Sequence, residues 1–146
     1  MAQARPAVTG FTLIEVVIAL AIVAITTTFA MSSYRRYMIR SHRVEAAQAL
    51  LAVAAEQEKF HLAHGEYGSR LDAAAGDEPP GLPVAATTPR GHYTLAVETA
   101  TAAEYRVAAI ATRATGDPLC SRLFIDESGR RGAVDIGGRN STAECW

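Results

Sequence analysis

Lysine is almost missing from this chain: 13 of its 14 basic residues are arginine and one, Lys59, is lysine, while 15 acidic residues bring the net charge to -1. Neither sign forms a run, so no charged tail stands out and overall basicity drives no binding to nucleic acid. Cysteine is equally scarce. Cys120 and Cys145 are too few for a four-ligand zinc site and lack the short Cys-x-x-Cys spacing of a redox pair. They suit one structural disulfide in an oxidising compartment, and closing the residues between them is worth about 3 to 4 kcal/mol on the chain-entropy model. No nucleophile elbow, phosphate loop or dinucleotide fingerprint occurs, and Gly137-Gly138 is an isolated pair, so the chain reads as neither an enzyme nor a cofactor binder. At 146 residues it is long enough for one folded domain and not two.

Proline and glycine are absent from Phe11 to His64, and nothing there interrupts a helix. Val16 to Ile25 is ten apolar residues in a row, and Phe11 to Met31 carries one charge, Glu15. As a helix this stretch spans roughly 31 Å, the thickness of a bilayer core. A cleaved secretory signal competes, with Arg5 as its basic end and Thr28 and Ala30 before the cut. Glu15 within the run and the apolar continuation through Met31 oppose that reading. Arg35, Arg36, Arg40 and Arg43 follow the span while Arg5 alone precedes it, so charge counting places the C-terminal part in the cytoplasm.

From Ser41 to His64 the pattern is helical, with Ser41 as a possible N-cap, a polar stripe of Glu45, Gln48, Glu56 and Lys59, and a broad apolar remainder expected to touch more than one neighbour. Gly65 ends that helix, and the span from Ser69 to Pro89, with Pro79, Pro80, Gly81 and Pro83, reads as a connecting loop. Strand alternation comes next at Tyr93 to Glu98, Tyr105 to Ala109 and Leu123 to Asp126. Glu127-Ser128-Gly129 forms a hairpin loop with a positive-φ glycine leading to Gly132–Ile136. The class is α+β: a long helix laid on a small antiparallel sheet.

Few residues suggest chemistry. Glu58 and His61 have di-iron spacing without a second copy, and His61 with His64 makes an incomplete metal shell, so no metal is expected. Asn140-Ser141-Thr142 fits a glycosylation acceptor, a pattern common by chance. Arg130, Arg131 and Arg139, with Arg122 nearby, can contact phosphates, yet Asp126, Glu127, Asp135 and Glu144 nearly cancel their charge.

Gly10-Phe11-Thr12-Leu13-Ile14-Glu15 ahead of the apolar run resembles the N-terminus of bacterial type IV pilins and pseudopilins. The resemblance implies that prepilin peptidase cuts between Gly10 and Phe11 and methylates Phe11. It implies domains of a 1–10 leader, an 11–31 transmembrane and filament-core helix, and a 32–146 periplasmic or extracellular head containing an amphipathic helix at 41–64. The leader then lies in the cytoplasm, which reverses the charge-count topology and lets a disulfide form outside. The precursor waits in the inner membrane before moving into the pilus, with other pilins and the assembly machinery as partners, and Glu15 is implied to act in assembly. Ser41 to Ala46, Gln57 to Phe60, Tyr67, Cys120 to Gly132 and Cys145-Trp146 resemble PilE-type minor pilins, which implies pilus-dependent motility, adhesion or DNA uptake. Ala24 and Ser32 stand where many pilins have helix breakers. The rivals are a type II secretion pseudopilin, a DNA-binding competence pilin and a membrane-anchored enzyme.

Overall fold

The computed structural model describes residues 10–146 except Ala75, Pro79 and Ala114, and excludes the side chains of Ala30 and Ser32. Residues 1–9 of the expected leader, Arg5 among them, therefore lie outside the described residues. Helix α1 runs unbroken over Leu13–His64, as a stretch free of proline and glycine allows. Ser41 is accordingly not an N-cap: it sits in mid-helix, and Thr12 caps the start, its carbonyl accepting from Val16 N–H at 3.2 Å and its hydroxyl facing Glu15 N–H at 3.4 Å. Gly65 ends the helix at φ 76°, a conformation that costs glycine little.

The chain forms two compact units that divide after Tyr37. In the first, every described residue of the helix is exposed, and its apolar segment is long enough to cross a membrane. Thr26, Thr27 and Thr28 return their hydroxyls to the carbonyls of Ile22, Val23 and Ala24 at 2.9, 2.6 and 2.8 Å. These three hydroxyls thereby need no water, which suits an apolar surrounding.

In the second unit the rest of α1 buries a narrow stripe of His42, Ala46, Leu50, Val53 and Gln57, spaced by three or four residues as one helix face requires. The expected broad apolar contact is only partly realised, since Val44, Leu51 and Leu62 remain exposed. The stripe packs on strands β1 (Tyr93–Ala100), β2 (Tyr105–Ala111), β3 (Arg122–Asp126) and β4 (Arg131–Val134), an antiparallel meander in sequence order. Tyr93, Leu95, Tyr105, Val107, Ala109, Leu123, Ile125 and Ala133 fill the core with Leu82 and the two cysteines. The fourth strand stops at Val134, and Ile136 lies in a turn, 81% exposed.

Gln57 and Arg43 are among the polar groups that tie the helix to distant parts of the head. Gln57, fully buried, donates to Gly68 O at 2.7 Å and accepts from Gly68 N–H at 2.8 Å. Arg43 donates Nε and Nη2 to Asp117 at 2.6 and 3.0 Å and Nη1 to the Glu144 carbonyl at 3.0 Å. The hydrogen bond to Asp117 raises the Arg43 guanidinium pKa. Cys120 and Cys145 are bonded, with Cα atoms 5.8 Å apart, and helix α2 (Thr142–Cys145) carries the second cysteine.

Both outer strands have company along their free edges. Residues 86–88 line β1, where Leu95 N–H donates to Ala86 O at 2.8 Å and Thr88 N–H to Tyr93 O at 3.0 Å. Beyond β4, Val134 bridges Asn140 and Ser141 N–H donates to Ala133 O at 3.0 Å.

Candidate functional site

The loop closed by the disulfide contains two turns built alike. In the first, Asp126 N–H donates to Arg130 O at 3.2 Å and Gly129 N–H to Asp126 O at 2.9 Å. In the second, Asp135 N–H donates to Arg139 O at 2.9 Å and Gly138 N–H to Asp135 O at 3.0 Å. The two glycines have φ of 74° and 79°, which side-chain-bearing residues seldom adopt.

Each aspartate then uses one oxygen on the turn and the other on the arginine. Asp126 Oδ1 accepts from Ser128 Oγ at 2.6 Å and Arg130 N–H at 3.1 Å, and Oδ2 accepts from Arg130 Nε at 3.0 Å. Asp135 Oδ1 accepts from Gly137 and Arg139 N–H at 2.8 and 2.9 Å, and Oδ2 from Arg139 Nε at 2.7 Å. Burial pushes the Asp126 carboxyl up, but the bonds from Ser128 and Arg130 outweigh it and leave its pKa below the ordinary value. The Arg139 N–H leads in holding Asp135 below as well. The acids lie under the surface and the bases on it: side-chain exposure is 2% for Asp126 and 8% for Asp135, against 71% for Arg130 and 87% for Arg139.

Charge counting along the loop does not show this layering: two of the four acids, Asp126 and Asp135, are covered while their arginines are exposed. The third arginine, Arg131, is exposed and lies 5.2 Å over the ring of Trp146, whose indole N–H donates to Gly132 O at 2.9 Å. Arg106 sits 3.8 Å from Asp126, so the first turn gathers two guanidiniums about one carboxylate. On the outer sheet face Arg106 and Arg122 flank the Phe124 ring at 5.2 and 5.1 Å, and Arg122 Nε donates to Glu98 at 2.7 Å. The end of the Phe124 ring covers Gly132, where any Cβ would overlap it. The sequence reading found the first turn with its positive-φ glycine but missed Arg106, Phe124 and the second turn, although Asp-x-x-Gly-Arg occurs twice, nine residues apart, at 126 and 135.

The other sequence-derived residues fall in two places. Gly10 and Phe11 precede α1, exposed, and Glu15 lies in its first turn, where a carboxylate suits the helix dipole. At the far end of α1, His61 Nε2 is 3.0 Å from Ala102 O and stacks on Tyr67, and His64 stacks on Phe60. Ser141 of the glycosylation pattern is buried.

A long helix with an apolar first half and an amphipathic second half laid on a four-stranded meander, with a C-terminal disulfide, defines a pilin-type subunit. The family model described as "Type IV minor pilin ComP, DNA uptake sequence receptor" matches residues 32–124, and the prokaryotic N-terminal methylation motif matches residues 5–31. The chain belongs to this family, and it is a minor pilin of a type IV pilus. A solved structure described as a type IV pilin from Shewanella oneidensis is similar at 21% identity and a TM-score of 0.45, covering 74% of this chain and 97% of that one. No curated protein matches.

Proposed function

We propose that this minor pilin captures DNA with the arginines of its disulfide-closed loop. The observation that carries the reading is the vertical separation of charge there: Arg130 and Arg139 stand in solvent while their aspartates are covered. An approaching phosphate backbone meets guanidiniums first, and phosphate neutralisation supplies most sequence-independent affinity. The family description, matched over residues 32–124, names a DNA uptake sequence receptor, which supports DNA capture by the head; the choice of Arg130 and Arg139 rests on their exposure.

In this reading the chain is not an enzyme. Prepilin peptidase removes residues 1–10 and methylates Phe11, residues 11–31 anchor the precursor in the inner membrane, and the head of residues 32–146 folds outside. Glu15 then meets the N-terminal amine of a neighbouring Phe11 as the span leaves lipid for the filament, a pair worth roughly 4 kcal/mol at 4 Å and an effective dielectric near 20.

The experiment is retention of the full chain in detergent micelles on duplex DNA across a salt series. With about two to three phosphates neutralised, the logarithmic salt slope is about −2 to −3. Replacing Arg130, Arg131 and Arg139 together by Gln abolishes it. Retention that is absent at low salt, or unchanged in the triple variant, refutes DNA capture by this loop and leaves a filament subunit.

A further inference from the structure

A turn reverses the chain with its glycine and its main-chain pair alone. In both Asp126–Arg130 and Asp135–Arg139 the aspartate does more, since its second oxygen bonds the arginine's own Nε at 3.0 and 2.7 Å. Resting on the DNA reading above, we infer that Asp126 and Asp135 are positioning residues, each holding one outward guanidinium ready for one backbone phosphate.

An unrestrained arginine has many rotamers to lose when it grips a phosphate, and pinning Nε removes part of that loss beforehand. The pin leaves the terminal nitrogens for the ligand; the hydrogen bond from each guanidinium to its aspartate is through Nε. Strand β4 separates the two prongs. Five residue steps from Arg130 to Asp135 at about 3.3 Å span about 16 Å, or about five steps of a duplex strand at 3.4 Å. The two turns therefore lie within the length of one short duplex segment.

The turns are not equal in company. The first shares a small polar hollow with Arg106 but also with Glu104 and Glu127, whereas the tip of the second carries Ile136 and no further acid. Arg139 is consequently the stronger contact.

The test opposes positioning to bulk charge. Removing an acid beside DNA raises affinity if only net charge matters, and lowers it if the acid holds the arginine. The full chain in detergent is titrated into a fluorescein-labelled duplex of arbitrary sequence, read by anisotropy over a salt series. Asp135→Ala is expected to weaken binding about fivefold and Asp126→Ala about twofold, each despite one less negative charge. Asp135→Asn keeps an oxygen for the Gly137 and Arg139 amides but not the anionic contact to Nε. It is expected to melt as wild type does while binding about twofold more weakly, with a shallower salt slope. Binding as tight as wild type or tighter in Asp135→Asn overturns the positioning role alone. No binding by wild type overturns the DNA reading and this inference together.

Discussion

One helix serves two surroundings in this protein. Through Tyr37 its described residues are all exposed, including Phe11 at 82% and Leu13 at 84% just before and at its start, whereas Ala46, Leu50, Val53 and Gln57 further along are fully buried. The first part is apolar from Val16 to Ile25, and Thr26, Thr27 and Thr28 return their hydroxyls to its own carbonyls. The second shows one stripe to the sheet and ties polar groups to distant chain. The difference separates what stability can report: a buried core supports the second part, whereas the described residues of the first are all exposed.

Breaking the Arg43 clip should have the largest effect on this contrast. Asp117 is 2% exposed, and Arg43→Ala leaves its carboxylate buried without its cation, at a cost of about 3 to 5 kcal/mol. Urea unfolding of the full chain in detergent, followed by Trp146 fluorescence, measures the loss. An unchanged midpoint contradicts a role for the clip.

A smaller effect comes from His42, which is buried, stacks on His92 at 3.5 Å and has neither ring nitrogen hydrogen-bonded. Burial foremost, then His92 and Arg90, lower its pKa below 6.5, against the opposing pull of Glu45 and Asp117, with Arg43 adjacent in sequence. The unfolded chain thus takes up the proton more readily than the folded one. The contribution is complete above pH 6.5 and declines as pH falls below that value. His42→Phe, which keeps the stacking, should flatten the stability profile between pH 7.5 and 5.5. A slope equal to wild type assigns the effect elsewhere.

The smallest stability effect belongs to Glu15→Gln, within about 0.5 kcal/mol as for an exposed site. Its consequence lies in assembly instead: the ratio of mutant to wild-type subunit should be lower in sheared pili than in membranes. Equal ratios in both fractions contradict the pairing with the Phe11 amine.

The architecture was largely legible in the sequence because its signals are local. Absence of proline and glycine over 54 positions from Phe11 to His64 gives one helix, and alternation at Tyr93, Tyr105 and Leu123 locates three strands to within a few residues. Ser41 misled as a cap because serine before an apolar stretch has the same appearance in mid-helix. Gln57 was invisible, since nothing in its neighbours announces a partner at Gly68. The layering of the arginine loop was not legible for a related reason: charge is additive in sequence, but which group a ligand meets first depends on depth. Asp126 and Asp135 are covered only once their turns fold over them, which leaves Arg130 and Arg139 outermost.

The edges of the sheet bear on life in a fibre. A filament holds its subunits at a local density at which any bare strand would find another and zip to it through main-chain hydrogen bonds. Here residues 86–88 occupy one border and residues 140–141 the other. Along these stretches, main-chain zipping to a neighbouring sheet is blocked, and any contact there falls to side chains.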